Sequence, residues 1–468
     1  MGNLIDSYYE RLRHYEEQLM DDLAELVAIR SVRDLETKET NSPFGVGIRD
    51  AFDKMISFAE RDSFTHVDFD GYALHIESGQ GEEVIGILAH LDIVPEGEKD
   101  EWSFDPFTLT NHDGFLYGRG VNDDKAPALA SYYAMKILRD LGFIFTRKVR
   151  LILGGAEETS WECMDHYFKH NPQPMMAFSP DGDFPIVNGE KGIIQGSFYL
   201  KNDELLSGNA LHDLLVIESE QQRGFVCEDL LVKFRSDYPD VLKDSLSEAS
   251  EIHCDDGIVT AFYKAEKTLS RNPHKGENAL FKFGRDLIGM EAVLGKGTSL
   301  KELIKSVLLD DVHGKKMGLY DEDPEMGETT LSIPYVLYNG STFEIAFDYR
   351  FPKGRTLENV QFNITEFSGN NSLSLEISNM HQPLYVHPNS ELIMTLQRAY
   401  KRVTGETAGL MTKGGMSYAR ALTSGVAFGP TFPGDIPNTH KPNENIRIET
   451  LYKAIIIYCE TIRLLATK

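Results

Sequence analysis

Four short apolar runs, each ending at acids or leading to a histidine, constrain this 468-residue chain more than any other feature. Val84–Ala89 stops at His90-Leu-Asp92. Val149–Ala156, apolar apart from Arg150, stops at Glu157-Glu158. Met175–Phe178 stops at Ser-Pro-Asp181, and Gly425–Gly429 leads into a loop carrying His440. Short continuous apolar runs bounded by turn signals read as strands buried on both faces, the condition of a parallel sheet. In open α/β sheets, functional groups collect at the carboxyl ends of such strands. The pattern therefore predicts one place where histidines and carboxylates meet, which is the inventory of a metal site.

The rest of the chain supplies the matching helices. An amphipathic helix is predicted over about 5–30, with Leu12, Leu19, Leu23 and Leu26 on one stripe, and another over about 46–60. After Gly118-Arg-Gly-Val-Asn-Asp123 a helix begins, with Ala126, Leu129, Ala130, Tyr133, Ala134, Ile137 and Leu138 at helical spacing. It carries Pro127 in its first turn and stops at Gly142. Strand, helix, strand in that order implies a parallel βαβ unit. The character changes near residue 190. Strand-like pieces at 194–200 and 343–350 then mix with predicted helices at 227–236, 278–289 and 298–308. From about 384 the earlier character returns, with helices at 390–404 and 446–466 around the Val426 strand. The expected architecture is an α/β domain with a mostly parallel central sheet, built from 1–190 and 384–468. An α+β domain, 191–383, is inserted into it.

Bulk properties narrow the function. A net charge of −26 disfavours nucleic acid and anionic membranes as partners. Cys163, Cys227, Cys254 and Cys459 are far apart and form no C-x-x-C, so reduced thiols in a cytoplasmic protein are expected. The first residues lack a basic and an apolar region, so no signal peptide is expected. No apolar stretch approaches the roughly 18–20 residues that span a bilayer. There is no G-x-S-x-G and no H-E-x-x-H. Gly289 to Gly295-Lys296 has the wrong spacing for a phosphate loop. His166 and His170, spaced i,i+4, read as a solvent face.

Each candidate ligand has an ordinary explanation when taken alone. His90 suits a turn, Asp123 and Asp124 suit a helix cap, Asp181 suits the Ser-Pro-Asp-Gly turn, and His440 suits a surface loop. Adjacent Glu157 and Glu158 repel each other in any partly buried place, and a nearby cation relieves that cost. Together the groups make a consistent set. One cation is expected on His90, Asp123 and Asp181, and a second on Asp123, Glu158 and His440. Asp92 is expected to hold the second nitrogen of His90. Nitrogen and oxygen donors without sulfur suit zinc or manganese, with cobalt also accommodated. Two divalent ions sharing one Asp activate a water between them, and Glu157 is free to handle its proton.

Those residues lie in longer matching segments. They are His-Leu-Asp-Ile-Val-Pro (90–95), Trp-Ser-Phe-Asp-Pro-Phe (102–107), Tyr-Gly-Arg-Gly-Val-Asn-Asp-Asp-Lys (117–125), Glu-Glu-Thr (157–159), Ser-Pro-Asp (179–181), Phe-Pro-Ile-Val-Asn-Gly-Glu-Lys-Gly (184–192) and Pro-Leu-Tyr-Val (383–386). In these the chain resembles the co-catalytic metallopeptidase family of carnosinases, aminoacylases and glutamate carboxypeptidases, and its PepV-type dipeptidases in particular. The resemblance implies Glu157 as general base, a lid formed by the inserted domain, and a cis Asp123–Asp124 peptide bond. It also implies that Arg350 grips the substrate carboxylate, that Gly414 and Gly415 face the substrate backbone, and that Asn209 is a lid contact. The family's lid carries a histidine that stabilises the oxyanion. Here Thr268-Leu-Ser-Arg-Asn-Pro-His-Lys-Gly-Glu-Asn-Ala279 has Leu269 at that position. The expected activity is hydrolysis of dipeptides by a monomer or weak homodimer. The alternatives are an N-acyl-amino-acid deacylase and a weakly active or non-catalytic metal-binding relative.

Overall fold

The computed structural model describes residues 4–201, 211–290 and 297–467. The chain divides into two compact units. The first is Met1–Gly189, Tyr385–Met411 and Met416–Lys468, and the second is Glu190–Leu384 with Thr412–Gly415.

The first unit is built on a mixed sheet with a parallel centre. The strands Lys148–Gly154, Val84–His90, Met176–Ser179 and Gly425–Ala427 lie side by side in that order, all parallel. The register pairs Val84 with Lys148 and His90 with Gly154, so these two strands end level with each other. Antiparallel strands flank the centre. Ala73–Ser78 and then Thr65–Phe69 lie on one side, and Ile186–Glu190 meets the Gly425–Ala427 strand on the other. Nearly every residue of the central strands is buried, in keeping with their mostly apolar composition.

Helices cover this sheet. Lys125–Asp140 is buried at every position from Lys125 to Leu138. It packs against the sheet and against the helices Leu4–Val27 and Ile448–Ala466. Its predicted end holds: Leu141 caps it and Gly142 follows at φ 80°, a conformation that costs glycine little. Leu4–Val27 buries Leu12, Leu19, Leu23 and Leu26 on the predicted stripe. No helix of the described residues is long and apolar enough to cross a membrane.

The second unit has its own core around an antiparallel sheet. Strands Glu251–Asp255, Ile258–Lys264, Asp229–Ser236, His212–Ser219, Val336–Tyr338, Thr342–Phe351, Gly192–Lys201 and Ser374–His381 follow one another across it. The helix expected over 227–236 is instead the strand Asp229–Ser236, in which Leu230, Val232 and Phe234 alternate inward. The helix expected over 298–308 forms as Thr298–Leu303, followed by a wider π-type turn at Ile304–Leu308. Ala279–Gly289 is helical as expected, with Asn278 capping it through a bond from the Leu280 N–H.

Candidate metal centre

The carboxyl ends of the four parallel strands deliver the predicted groups to one place. His90 is the last residue of its strand. Glu157 and Glu158 lie just beyond Lys148–Gly154, and Asp181 just beyond Met176–Ser179. Asp123 precedes the Lys125–Asp140 helix, and the Asp123–Asp124 peptide bond is cis. His440 comes from the loop after Gly425–Ala427 and holds φ 63°.

Asp123 is the centre of the arrangement. Its Oδ1 lies 2.9 Å from His90 Nε2, and its Oδ2 lies 2.9 Å from His440 Nε2. His440 Nε2 is also 2.9 Å from Glu158 Oε1. Ligand atoms of His90, Asp123 and Asp181 lie within 4.8 Å of one another, as do those of Asp123, Glu158 and His440. His90, Glu157 and Glu158 form a third such group.

Asp92 bonds differently from the expected pattern. The shorter contact to His90 Nδ1 is its main-chain carbonyl, at 2.9 Å, with the carboxylate at 3.5 Å. A carbonyl can only accept, so Nδ1 carries the hydrogen and Nε2 is turned toward Asp123. The Asp92 carboxylate accepts instead from the main-chain N–H groups of Glu157 (3.1 Å) and Glu158 (3.0 Å). It thereby fixes the backbone that carries both glutamates.

Several supporting groups escaped the sequence reading. The N–H of His90 donates to Asp124 Oδ2 at 3.0 Å, while Asp124 Oδ1 is buried without a partner. Tyr418 meets the His90 ring edge-on at 5.9 Å, and its main-chain N–H donates to Asp181. Its hydroxyl is 2.9 Å from the sulfur of buried Cys163. Glu444, four residues beyond His440, is wholly buried and accepts from Arg119 Nη1 at 2.8 Å. It also accepts from the N–H groups of Gly120, Asn122 and Asp123. Arg119 lies in the Gly-Arg-Gly of the 117–125 segment, whereas nothing in the sequence pointed to Glu444.

The electrostatics fit cations. Desolvation, reinforced by the neighbouring acids, holds Glu157 well above the usual carboxylate range and raises Glu158 and Asp181 as well. His440 runs the other way: desolvation opposes its charge, yet Asp123 and Glu158 raise it to about 11. Carboxylates and imidazoles are thus crowded together, and the carboxylates among them repel one another. Oxygen and nitrogen donors in two groups joined by one Asp suit a pair of divalent ions. His166 and His170 lie away from this cluster. His166 stacks on Tyr72 at 4.2 Å and contacts Asp70.

The remaining predicted residues belong to the second unit. Arg350 donates to both oxygens of Asp348, at 2.9 and 2.8 Å, and to the carbonyl of Gly414. Gly415 lies beside Arg271. Leu269 is partly exposed and bridges Phe225. Asn209 lies outside the described residues.

A parallel-centred sheet with this acid and histidine cluster at its strand ends is the framework of a metallohydrolase. The chain belongs to peptidase family M20/M25/M40, whose family model matches residues 86–464. It is 33% identical over 462 residues to the Bacillus subtilis (strain 168) protein named "Putative dipeptidase YtjP", covering 96% of this chain and 97% of that protein. Among solved structures, human carnosine dipeptidase 1 aligns with a TM-score of 0.57 at 16% identity, covering 99% of this chain and 100% of that one. The Saccharomyces cerevisiae di-peptidase Dug1p aligns at 0.59 and 15% identity, covering 99% of each. At such identities the likeness to the solved structures is one of fold.

Proposed function

We propose that the chain is a two-metal dipeptidase that hydrolyses the peptide bond of unblocked dipeptides. The observation that carries the reading is Asp123, whose two oxygens each stand 2.9 Å from a different histidine and so join two donor groups. His90, Asp123 and Asp181 would hold one ion, and Asp123, Glu158 and His440 the other. Zinc or manganese suits the donors, and cobalt is compatible. When bound, such ions supply Lewis acidity to a carbonyl and acidify water.

The chain's own groups then handle the protons. Glu157 takes one from the attacking water as the new C–O bond forms at the peptide carbonyl. It returns that proton to the nitrogen as the C–N bond breaks, so the amine leaves neutral. Asp92 keeps Glu157 in place by gripping its N–H. Arg350 anchors the substrate carboxylate, and Gly414 and Gly415 present backbone to the peptide. The four cysteines are free, which suits a cytoplasmic enzyme. A monomer or weak homodimer is the working assembly.

The test is turnover of a dipeptide panel by the purified chain loaded with manganese, zinc or cobalt. Glu157→Gln should lower kcat by about 10²–10⁴-fold while still binding metal. A Glu157→Gln protein of full activity excludes this base. Leu269 favours a second reading, a weakly active relative, because the family's oxyanion histidine is absent there. Leu269→His should then raise kcat; no dipeptide turnover before or after that change supports a non-catalytic metal-binding role.

A further inference from the structure

The second unit gathers positive charge, in a chain whose net charge is −26. Arg350 spends its Nε and Nη2 on Asp348 and an Nη1 donor on the Gly414 carbonyl. Its charge is therefore matched by one carboxylate, which also accepts from Gln195 at 3.0 Å. Arg271 has no such match. Among the described residues, no carboxylate pairs with its guanidinium and no acceptor takes its N–H donors. Arg271 is exposed, and the planar fork of its guanidinium leaves five donors open to an anion that reaches this face.

The two arginines flank consecutive residues. Arg350 reaches the carbonyl of Gly414. A methyl group at Gly414 would stand 3.5 Å from the Arg271 Cβ, and one at Gly415 would meet Arg271 Nη1 at 2.7 Å. The first distance is an ordinary contact and the second falls on the end of the side chain, so the Arg271 guanidinium lies against the backbone at Gly415. The like charges feel each other. Desolvation and then the charge of Arg350 lower the pKa of both Arg271 and Lys191. Glu328 offsets this in part at Lys191, whose Nζ bonds the Glu328 main-chain carbonyl. Of the two guanidiniums, that of Arg350 has Asp348 as its carboxylate partner, and among the described residues that of Arg271 has none. A single substrate carboxylate would still leave one guanidinium uncompensated.

We propose that this place reads two carboxylates on one substrate residue: Arg350 takes the α-carboxylate, and Arg271 takes the side-chain carboxylate of a C-terminal Asp or Glu. Acidic dipeptides are then the favoured substrate class. The inference rests on the dipeptidase reading for its substrate and on the second unit alone for its geometry. Two carboxylates borne by one residue suit two forks set along adjacent glycines.

The experiment compares Leu-Asp with its neutral isostere Leu-Asn on the full chain loaded with manganese. Leu-Asp should have the higher kcat/KM by on the order of 10- to 100-fold, carried mainly by KM, the range of a charge-assisted bidentate contact. Arg271→Ala should lose at least about ten-fold more on Leu-Asp than on Leu-Asn, and Arg271→Lys should restore part of the preference. A second readout needs neither turnover nor a variant. Phenylglyoxal should label Arg271 in the EDTA-treated chain, mapped by peptide mass spectrometry, and Leu-Asp should protect it better than Leu-Asn does. Equal rates, equal losses or equal protection overturn the proposal. Hydrolysis of both peptides without preference sinks this inference and spares the dipeptidase. Selective protection without any hydrolysis does the reverse.

Discussion

Glu444→Ala probes how the site is held. Glu444 and Arg119 are both buried, at 0% and 2% exposure. The carboxylate receives Arg119 Nη1 at 2.8 Å, Asn122 N–H at 2.9 Å, and the N–H groups of Gly120 and Asp123 at 3.1 Å each. Its removal leaves a guanidinium without a counter-charge and three main-chain donors without an acceptor. Truncating one partner of a buried ion pair costs about 3–5 kcal/mol. The stranded N–H groups belong to the loop that aims Asp123, so metal affinity should fall about 10- to 100-fold, as it does when outer supports of ligands are lost. Urea unfolding of the metal-free chain measures the first effect, and titration calorimetry with Mn²⁺ the second. Arg119→Met in the Glu444→Ala background should cost less than it does alone, with a coupling of about 1–3 kcal/mol. A Glu444→Ala chain within about 0.5 kcal/mol of the parent, the scatter of an ordinary surface substitution, with unchanged Mn²⁺ affinity, refutes this reasoning.

Two further outcomes follow from the same structure. Saturating Mn²⁺ or Zn²⁺ should raise Tm over the EDTA-treated chain, with about 2.7 kcal/mol of added stability at one hundred times the Kd; a flat Tm in scanning calorimetry removes the metal assignment. Buried His75, bonded to the Tyr167 hydroxyl at 2.9 Å, has its pKa lowered from 6.5 to about 4 by desolvation and then by Arg150. The unfolded chain binds this proton first as pH falls, so stability should drop between pH 6.5 and 4, by up to about 3 kcal/mol at about 1.36 kcal/mol per unit. His75→Gln should flatten that part of the profile in urea unfolding, and an unchanged slope counts against it.

The parts of the fold that were legible in the sequence are those where one periodicity dominates. The runs at Val84, Val149 and Met175 are apolar almost throughout because both of their faces are covered. The Lys125–Asp140 helix was legible through its Pro127 and its Gly142 stop. The stretch 227–236 was misread because Leu230-Leu231-Val232 blurs the period of two; only the partners Ile258–Lys264 and His212–Ser219 select which residues turn inward. At the candidate site, the histidines and acids could be read because metals demand particular side chains. Asp92 was harder: the strand ends at His90, so alternation no longer governs the next residues, and its carboxylate turns to main-chain donors. Glu444 was invisible for the same reason, since backbone N–H groups have no letter in a sequence.

That difference divides the acids of the site into two sets with different work. Asp92 and Glu444 spend their oxygens on main-chain N–H groups, and Asp124 accepts from the His90 N–H. They are bound by the scaffold itself, whether or not a cation is near. Asp123, Glu158 and Asp181 turn toward each other and the histidines, and desolvation raises Glu158 and Asp181 while His90 and His440 hold Asp123 low. The scaffold set ties the loops together through protein groups alone. The inward set is left with the mutual repulsion of its carboxylates, which cations bound there would relieve. Cation binding should therefore stabilise the folded chain.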